Sequence, residues 1–396
     1  MAAYSLSSNP KKSLVESVPL TADILKALER RGYIRDGVLT KGPHNGERPT
    51  HSDQLPSEID LSGTDITDVS CLIYVDKLTL RHCISLVDLS PFAKGTVRVL
   101  NLSYCPNVKD VSALRYVSEI DLTSCSGVTS VAALRSGCVE TLKLGFITVR
   151  DLAGLKGSTT LKYIELYSCV DNVDIAALAS IPTLTTLKIY YCDTVTDISP
   201  VASSNIEEFV TQRCCGIVDI SSLAKSKTLK RVTFRGSNVV DVSALGHLQK
   251  LEYVDLRWSK KISDVSMLFN VKTLKISGCE RIHSIAGLEQ GMIVSLCMAE
   301  CPNITDVSML WKAKSLVDLD ISKTGVANIS SLGWSKTLEY LALEYCRGVT
   351  DISCLKGCKS LKEIRLSKRI KGLEKLKDVV VDMEFDEDME DEEVSD

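Results

Sequence analysis

Apolar residues in this chain come in pairs with one position between them, and the pairs recur. Apolar-x-apolar units begin at Ile59, Leu78, Leu100, Ile120, Leu142, Ile164, Leu187, Phe209, Val232, Val254, Leu274, Leu296, Leu319, Leu341 and Ile364, in steps of 19 to 23 residues. Side chains alternate across a strand, so both apolar residues of a unit share one face and the residue between them takes the other. Each unit therefore predicts a short strand with one core face and one open face. A lone unit cannot bury its apolar row, whereas stacked units with parallel strands can, which is the physical meaning of a period near 22 residues. Only the eighth unit is weak, with Thr211 in an apolar slot.

Between the pairs runs a shared grammar, L-x-L-x-x-C-x-x-V-x-D-V-S-x-L. Cysteine fills its slot at Cys83, Cys105, Cys125, Cys169, Cys192, Cys214, Cys279, Cys301 and Cys346, nine of the fifteen repeats. A small, weakly polar side chain there closes the strand, fills a continuous interior row and can donate to carbonyls of the neighbouring coil. The Asp of each D-V-S step (Asp68, Asp110, Asp151, Asp174, Asp197, Asp219, Asp241, Asp264, Asp306 and Asp351) is read as accepting a backbone N–H and starting the return segment. This pattern resembles the leucine-rich repeat. The resemblance implies an α/β solenoid: a horseshoe with a parallel β-sheet on its concave face and short helical or irregular turns on the convex face.

The ends are read as caps. Residues 1–57 form an N-terminal extension in which Thr21–Arg31 predicts a short helix, N-capped by Thr21, stopped by Gly32, and apolar at Ile24, Leu25 and Leu28. Residues 41–56 read as a loop. The solenoid, a single domain, spans 58–381 and closes on a final strand within Asp378–Met383. Residues 382–396 hold ten acidic residues and no basic one, out of a net charge of −4, leaving +6 on the rest. Such a segment predicts a disordered tail that either solubilises the chain or competes for a basic surface on its body.

Composition restricts the function. No stretch approaches eighteen apolar residues and no apolar block follows Lys11-Lys12, so the expectation is an intracellular protein, cytoplasmic first and nuclear second, without membrane contact. Its thiols are then expected to stay reduced. No zinc-type Cys pair, H-E-x-x-H, G-x-S-x-G or phosphate-binding glycine loop occurs, so no enzyme, metal or cofactor is expected.

What remains is the outward face of the strands. Aromatics gather in or just after them, at Tyr104, Tyr163, Tyr167, Tyr190, Tyr191, Tyr253, Trp258, Tyr340 and Tyr345, and Arg213, Arg231, Arg235, Arg257 and Lys275 lie alongside. Exposed aromatics beside Arg compose the centre of many protein interfaces. The candidate partner-binding residues are Tyr163, Tyr167, Tyr190, Arg213, Arg231, Arg235, Tyr253, Arg257, Trp258, Lys275 and Tyr345. They suit a protein partner with carboxylates for the Arg forks, and the acidic tail can take its place. Nucleic acid is the competing ligand class, set back by Asp60, Asp121, Glu165, Asp255 and Asp320 on the same face. The function expected is a protein-binding scaffold or regulatory subunit; the alternatives are a structural component of a larger complex and an RNA-associated protein.

The stretches NITDVSML, GVTDISCL and TVTDISPV make the repeats similar to leucine-rich repeat proteins of kinetoplastid parasites, among them adenylate cyclase regulatory proteins. The D-V-S-x-L step is also similar to repeats of bacterial internalins. Some of the cyclase-regulatory group carry a Cys/His zinc domain ahead of the repeats; here the first cysteine is Cys71, so the resemblance covers the array alone.

Overall fold

The structure is a computed structural model and describes residues 22–30, 32, 34–35, 38–39, 57–146, 152–168 and 175–383. Each apolar-x-apolar unit carries a strand of three to five residues. By their internal packing the repeats divide into two compact units, 1–194 and 195–396, where the sequence reads as one domain. In the first unit, seven parallel strands follow chain order from Glu58–Asp60 to Thr186–Tyr190. In the second, nine follow from Glu208–Gln212 to Val380–Met383.

Register places apolar residue beside apolar residue. Leu78 pairs with Leu100 and Leu100 with Ile120; in the second unit Leu274 pairs with Leu296 and Leu296 with Leu319. All six are essentially without exposed surface, each worth about 1.5–3 kcal/mol of burial. Phe209 of that row stacks edge to face on Phe234, the second apolar residue of the next unit, with centroids 5.9 Å apart. Thr211, the misfit of the eighth repeat, is buried and donates its hydroxyl to the Thr233 carbonyl at 3.2 Å, so its polar atom is satisfied.

The return segments are mostly single 3-10 turns. Their apolar residues recur every third position, as at Val111, Leu114 and Val117, and all three are buried. A helix with three residues per turn puts such a row on one side, which an α-helix would not. The bonds match: Leu114 N–H donates to Val111 O at 3.0 Å and Val117 N–H to Leu114 O at 2.9 Å. Asp starts these turns as expected. Asp110 Oδ1 accepts the Ser112 N–H at 2.8 Å, Asp219 that of Ser221 at 2.8 Å and Asp306 that of Ser308 at 2.7 Å. Asn328 does the same for Ser330 at 2.9 Å. Asp151 and Asp174 lie outside the described residues.

Most of the cysteine row bonds to the preceding coil, while Cys192 and Cys214 also donate to Tyr190 O and Gln212 O of their own coils. Cys105 Sγ donates to Leu80 O at 3.1 Å, Cys125 to Leu102 O at 3.0 Å, Cys279 to Leu256 O at 3.2 Å, Cys301 to Ile276 O at 3.2 Å and Cys346 to Ile321 O at 3.0 Å. Ser259 replaces Cys in one coil and bonds Phe234 O at 2.5 Å. Cys169 lies outside the described residues. Burial pushes the Cys105 and Cys279 thiols up to about 12, so the row is held neutral.

At the chain end the last strand runs to Met383, and Asp382 and Met383, read as the start of the tail, pair with Arg365 and Leu366. At the other end Ala22–Arg30 is an α-helix with Ile24, Ala27 and Leu28 buried and Leu25 half-buried. Gly32, with φ +75°, donates to Glu29 O at 3.0 Å and ends it. The helix packs on strand Ile34–Arg35, which pairs antiparallel with Val38–Leu39. Thr21, Arg31, 41–56 and 384–396 lie outside the described residues.

Candidate functional site

One backbone feature decides where the candidate side chains sit. The fourth residue after the first apolar position of a coil is left-handed, with φ between +47° and +71°, at His82, Tyr104, Ser124, Phe146, Ser168, Tyr191, Arg213, Trp258, Glu300, Lys323 and Tyr345 and at Gly63, Gly236 and Gly278. Its N–H turns toward the next coil: Tyr104 donates to Thr123 O at 2.7 Å, Trp258 to Ser277 O at 2.8 Å and Lys323 to Glu344 O at 2.8 Å. Each such bond offsets the roughly 1 kcal/mol that a side chain pays for this conformation. Arg213, Trp258 and Tyr345 therefore stand in a column at the C-terminal edge of the strands, not on the face between the paired apolar residues.

In the second unit the face itself carries a basic and aromatic group. Arg231 and Tyr253 are register partners on adjacent strands, and the Arg231 guanidinium carbon lies 3.9 Å from the Tyr253 ring centroid. Lys275 approaches the same ring to 5.7 Å from the next strand. Arg231 is exposed and has no carboxylate partner among the described residues. Trp258, 41% exposed, stands at the edge of this group over Gly278 of the next coil.

Arg257 is differently placed. Its Nε lies 2.9 Å from Asp255 Oδ1 and its Nη2 2.6 Å from Asp255 Oδ2, and the Asp255 side chain is 4% exposed. The hydrogen bonds to Asp255 hold the Arg257 guanidinium above its ordinary range. That fork is filled by the chain's own carboxylate, so Arg257 is a structural arginine and the free charges of the group are Arg231 and Lys275. Arg235 lies half-buried on the outer row of the same face. Tyr345 does not join them. It is four strands further along, about 19 Å by ordinary strand spacing, where it lines a shallow cleft of about 580 Å³ with Lys323 and Arg347.

The first unit holds an aromatic cluster of its own. The Tyr167 ring is 5.3 Å from Phe146, 6.1 Å from Tyr190 and 5.2 Å from Tyr191. Phe146, 48% exposed, is not among the aromatics that the strand pattern points to; its signal is the column it shares with Tyr104 and Tyr191. Tyr163 lies at the other end of the Tyr167 strand, donates to Glu165 Oε2 at 2.5 Å and has Lys188 Nζ 5.5 Å from its ring. Desolvation, then Tyr191, raises the Tyr167 phenol above its usual range.

Among the described residues no group of His, Cys, Asp and Glu is placed to hold a metal ion, and no helix is long and apolar enough to cross a membrane. The chemistry on offer is contact: aromatic faces, two cationic side chains and a satisfied backbone.

No family model matches the sequence, and no curated protein matches it. Solved structures do resemble it. An internalin from Listeria monocytogenes shares 17% identity over 83% of this chain and 87% of that chain, with a TM-score of 0.49. A leucine-rich repeat protein from Leptospira interrogans shares 13% over 91% and 99%, with a TM-score of 0.48. The TLR13–ssRNA13 complex shares 13% over 80% and 55%, with a TM-score of 0.50. At these identities the likeness is one of architecture, and none of the three is described as kinetoplastid. Strand order, register and repeat length agree in giving the fold of a leucine-rich repeat solenoid.

Proposed function

We infer that this chain is a non-enzymatic protein-binding scaffold or regulatory subunit, acting inside the cell, that takes an acidic protein partner on the open strand face of its second unit. The observation that carries the reading is Arg231 lying 3.9 Å over Tyr253, with Lys275 on the same ring and Trp258 exposed beside them. A cation stacked on an aromatic face, with its N–H groups open at the rim, recognises a carboxylate while the ring buries apolar area. The Phe146, Tyr167, Tyr190 and Tyr191 cluster gives the first unit a second contact area of apolar character. Asp318 and Asp320 on the strand face weigh against nucleic acid, even though one structural neighbour is bound to RNA.

The test is affinity capture of partners by the full chain and by an Arg231→Glu, Trp258→Ala variant. Loss of specific partners from the variant supports the reading. An unchanged set of partners, or a set recovered only through nuclease-sensitive material, overturns it.

A further inference from the structure

A second surface lies on the return turns of the second unit, away from the strand face. Trp311 ends the 3-10 turn Ser308–Lys312 one residue early and Trp334 closes the next turn, Ser330–Trp334. Their rings meet edge to face with centroids 5.6 Å apart, yet Trp334 is 65% exposed and Trp311 37%. Met309, 41% exposed, belongs to the same turn as Trp311. Two adjacent indoles in water are costly in a surface that does nothing with them.

Lysines surround this pair. Lys312 lies 5.8 Å from the Trp311 ring, Lys314 and Lys336 follow two residues after Lys312 and Trp334, Lys356 lies in the next turn, Ser353–Gly357, and Lys359 two residues after it. All five are exposed and none has a carboxylate partner among the described residues. That sets them apart from the lysines of the strand edge, where Lys230, Lys272 and Lys362 are matched by Glu207, Glu252 and Glu339. The patch has the chemistry to receive a segment that is acidic and carries apolar residues.

The chain ends in such a segment. Residues 384–396, EFDEDMEDEEVSD, interleave Phe385, Met389 and Val394 with nine carboxylates. They leave the fold at Met383, at the end of the last strand of this same unit. The coil bearing Trp334 follows strand Asp318–Asp320, three strands away, about 14 Å along the stack. An extended segment of this length reaches about 45 Å, enough to round the coil as well. The strand face offers no such route. Between the chain end and Lys275 it presents one cation, Arg365, already matched by Glu363 and Asp382, and beyond it Glu344, Asp320 and Asp318, which repel an acidic segment.

We propose that residues 384–396 dock on the turns around Trp311 and Trp334, with their carboxylates on Lys312, Lys314, Lys336, Lys356 and Lys359 and Phe385 or Met389 against the indoles. The tail then leaves Arg231 and Tyr253 open and covers the back of the same unit. Because the contact is intramolecular, a weak affinity suffices to fill it.

Zero-length carbodiimide coupling of the full chain at low protein concentration, mapped by mass spectrometry, tests this. Expected are links within one chain from 384–396 to Lys312, Lys314 or Lys336, lost at high salt. Links confined to Lys368, Lys371, Lys375 and Lys377 near the chain end, links to Lys275, or links only between chains overturn it. A second measurement uses a Trp258→Phe chain, whose emission reports Trp311 and Trp334. Replacing the acidic residues of 384–396 by their amides should increase acrylamide quenching; equal quenching with and without the charges overturns the proposal.

Discussion

Gly278 leaves room for Trp258: a side chain at Gly278 would overlap the Trp258 indole at Cε3. Gly278 also has φ +71°, in the left-handed column that Trp258 itself occupies one coil earlier. Gly278→Ala is expected to push the indole off its seat and to cost about 1–2 kcal/mol through the conformation alone. Tryptophan emission and urea denaturation measure the two effects, and an unshifted emission with wild-type stability would contradict the contact.

The arginines of the second unit should separate by role. Arg257→Ala strands the nearly buried Asp255 carboxylate and is expected to cost on the order of 2–3 kcal/mol. Arg231→Ala removes an exposed cation and should change stability by less than about 0.5 kcal/mol while weakening partner capture. Chemical denaturation of both variants beside a binding assay checks the pair. Equal stability losses would remove the distinction.

Thiol chemistry should follow the ladder. Cys138 and Cys215 are exposed and should react with a maleimide in the native protein, whereas Cys105, Cys125, Cys279 and Cys301 should react only on unfolding. Rising pH should also destabilise the fold. The native Cys105 and Cys279 thiols keep their protons to about 12, while unfolded ones release them near 9. The thiols' contribution is thus constant below pH 8 and is lost as pH climbs from about 9 toward 12. Denaturation midpoints across that window give the slope, and a rising midpoint would contradict it.

Acid should act on the turns. The backbone N–H and hydroxyl of Ser112 hold Asp110 below the usual carboxylate range, those of Ser243 do so for Asp241, and the hydroxyl and then the N–H of Ser308 do so for Asp306. Their contribution is present above the unfolded value near 4 and is lost as pH falls through the lower native values. Asp306→Asn, imitating Asn328, should keep the turn and flatten the acid limb; Asp306→Ala should cost about 1 kcal/mol at neutral pH. Thermal unfolding at pH 3 and pH 7 distinguishes the two.

Much of the architecture was legible in the chain because its rules are local. A two-residue alternation writes the strand, and a Val-x-x-Leu spacing of three writes the 3-10 turn. The Cys slot was readable for the same reason, and Ser259 and Thr324 show that what the slot selects is a small donor. The left-handed column was not readable, since it accepts Trp258, Lys323, Glu300 and Gly278 alike. Its requirement is a hydrogen bond to the following coil, which sets φ without fixing a residue type. Consequently Trp258 and Tyr345 were assigned to the face when they stand on its rim. The filling of Arg257 by Asp255 is also hidden, because the spacing does not tell whether a carboxylate two residues away on a strand turns to its neighbour or to a partner. Trp311 and Trp334 lie on the return turns, where the repeat pattern does not tell an exposed indole from a buried one.

In most coils the thiol of the Cys slot finds its acceptor in the coil before, and the left-handed amide finds its acceptor in the coil after. Excising or duplicating one whole repeat would restore each of these bonds at the new junction, while a gain or loss of half a repeat would leave a thiol and an amide facing side chains. Array length is therefore an evolvable quantity counted in whole turns, and the reach of the binding surface can grow or shrink without redesign of any single coil.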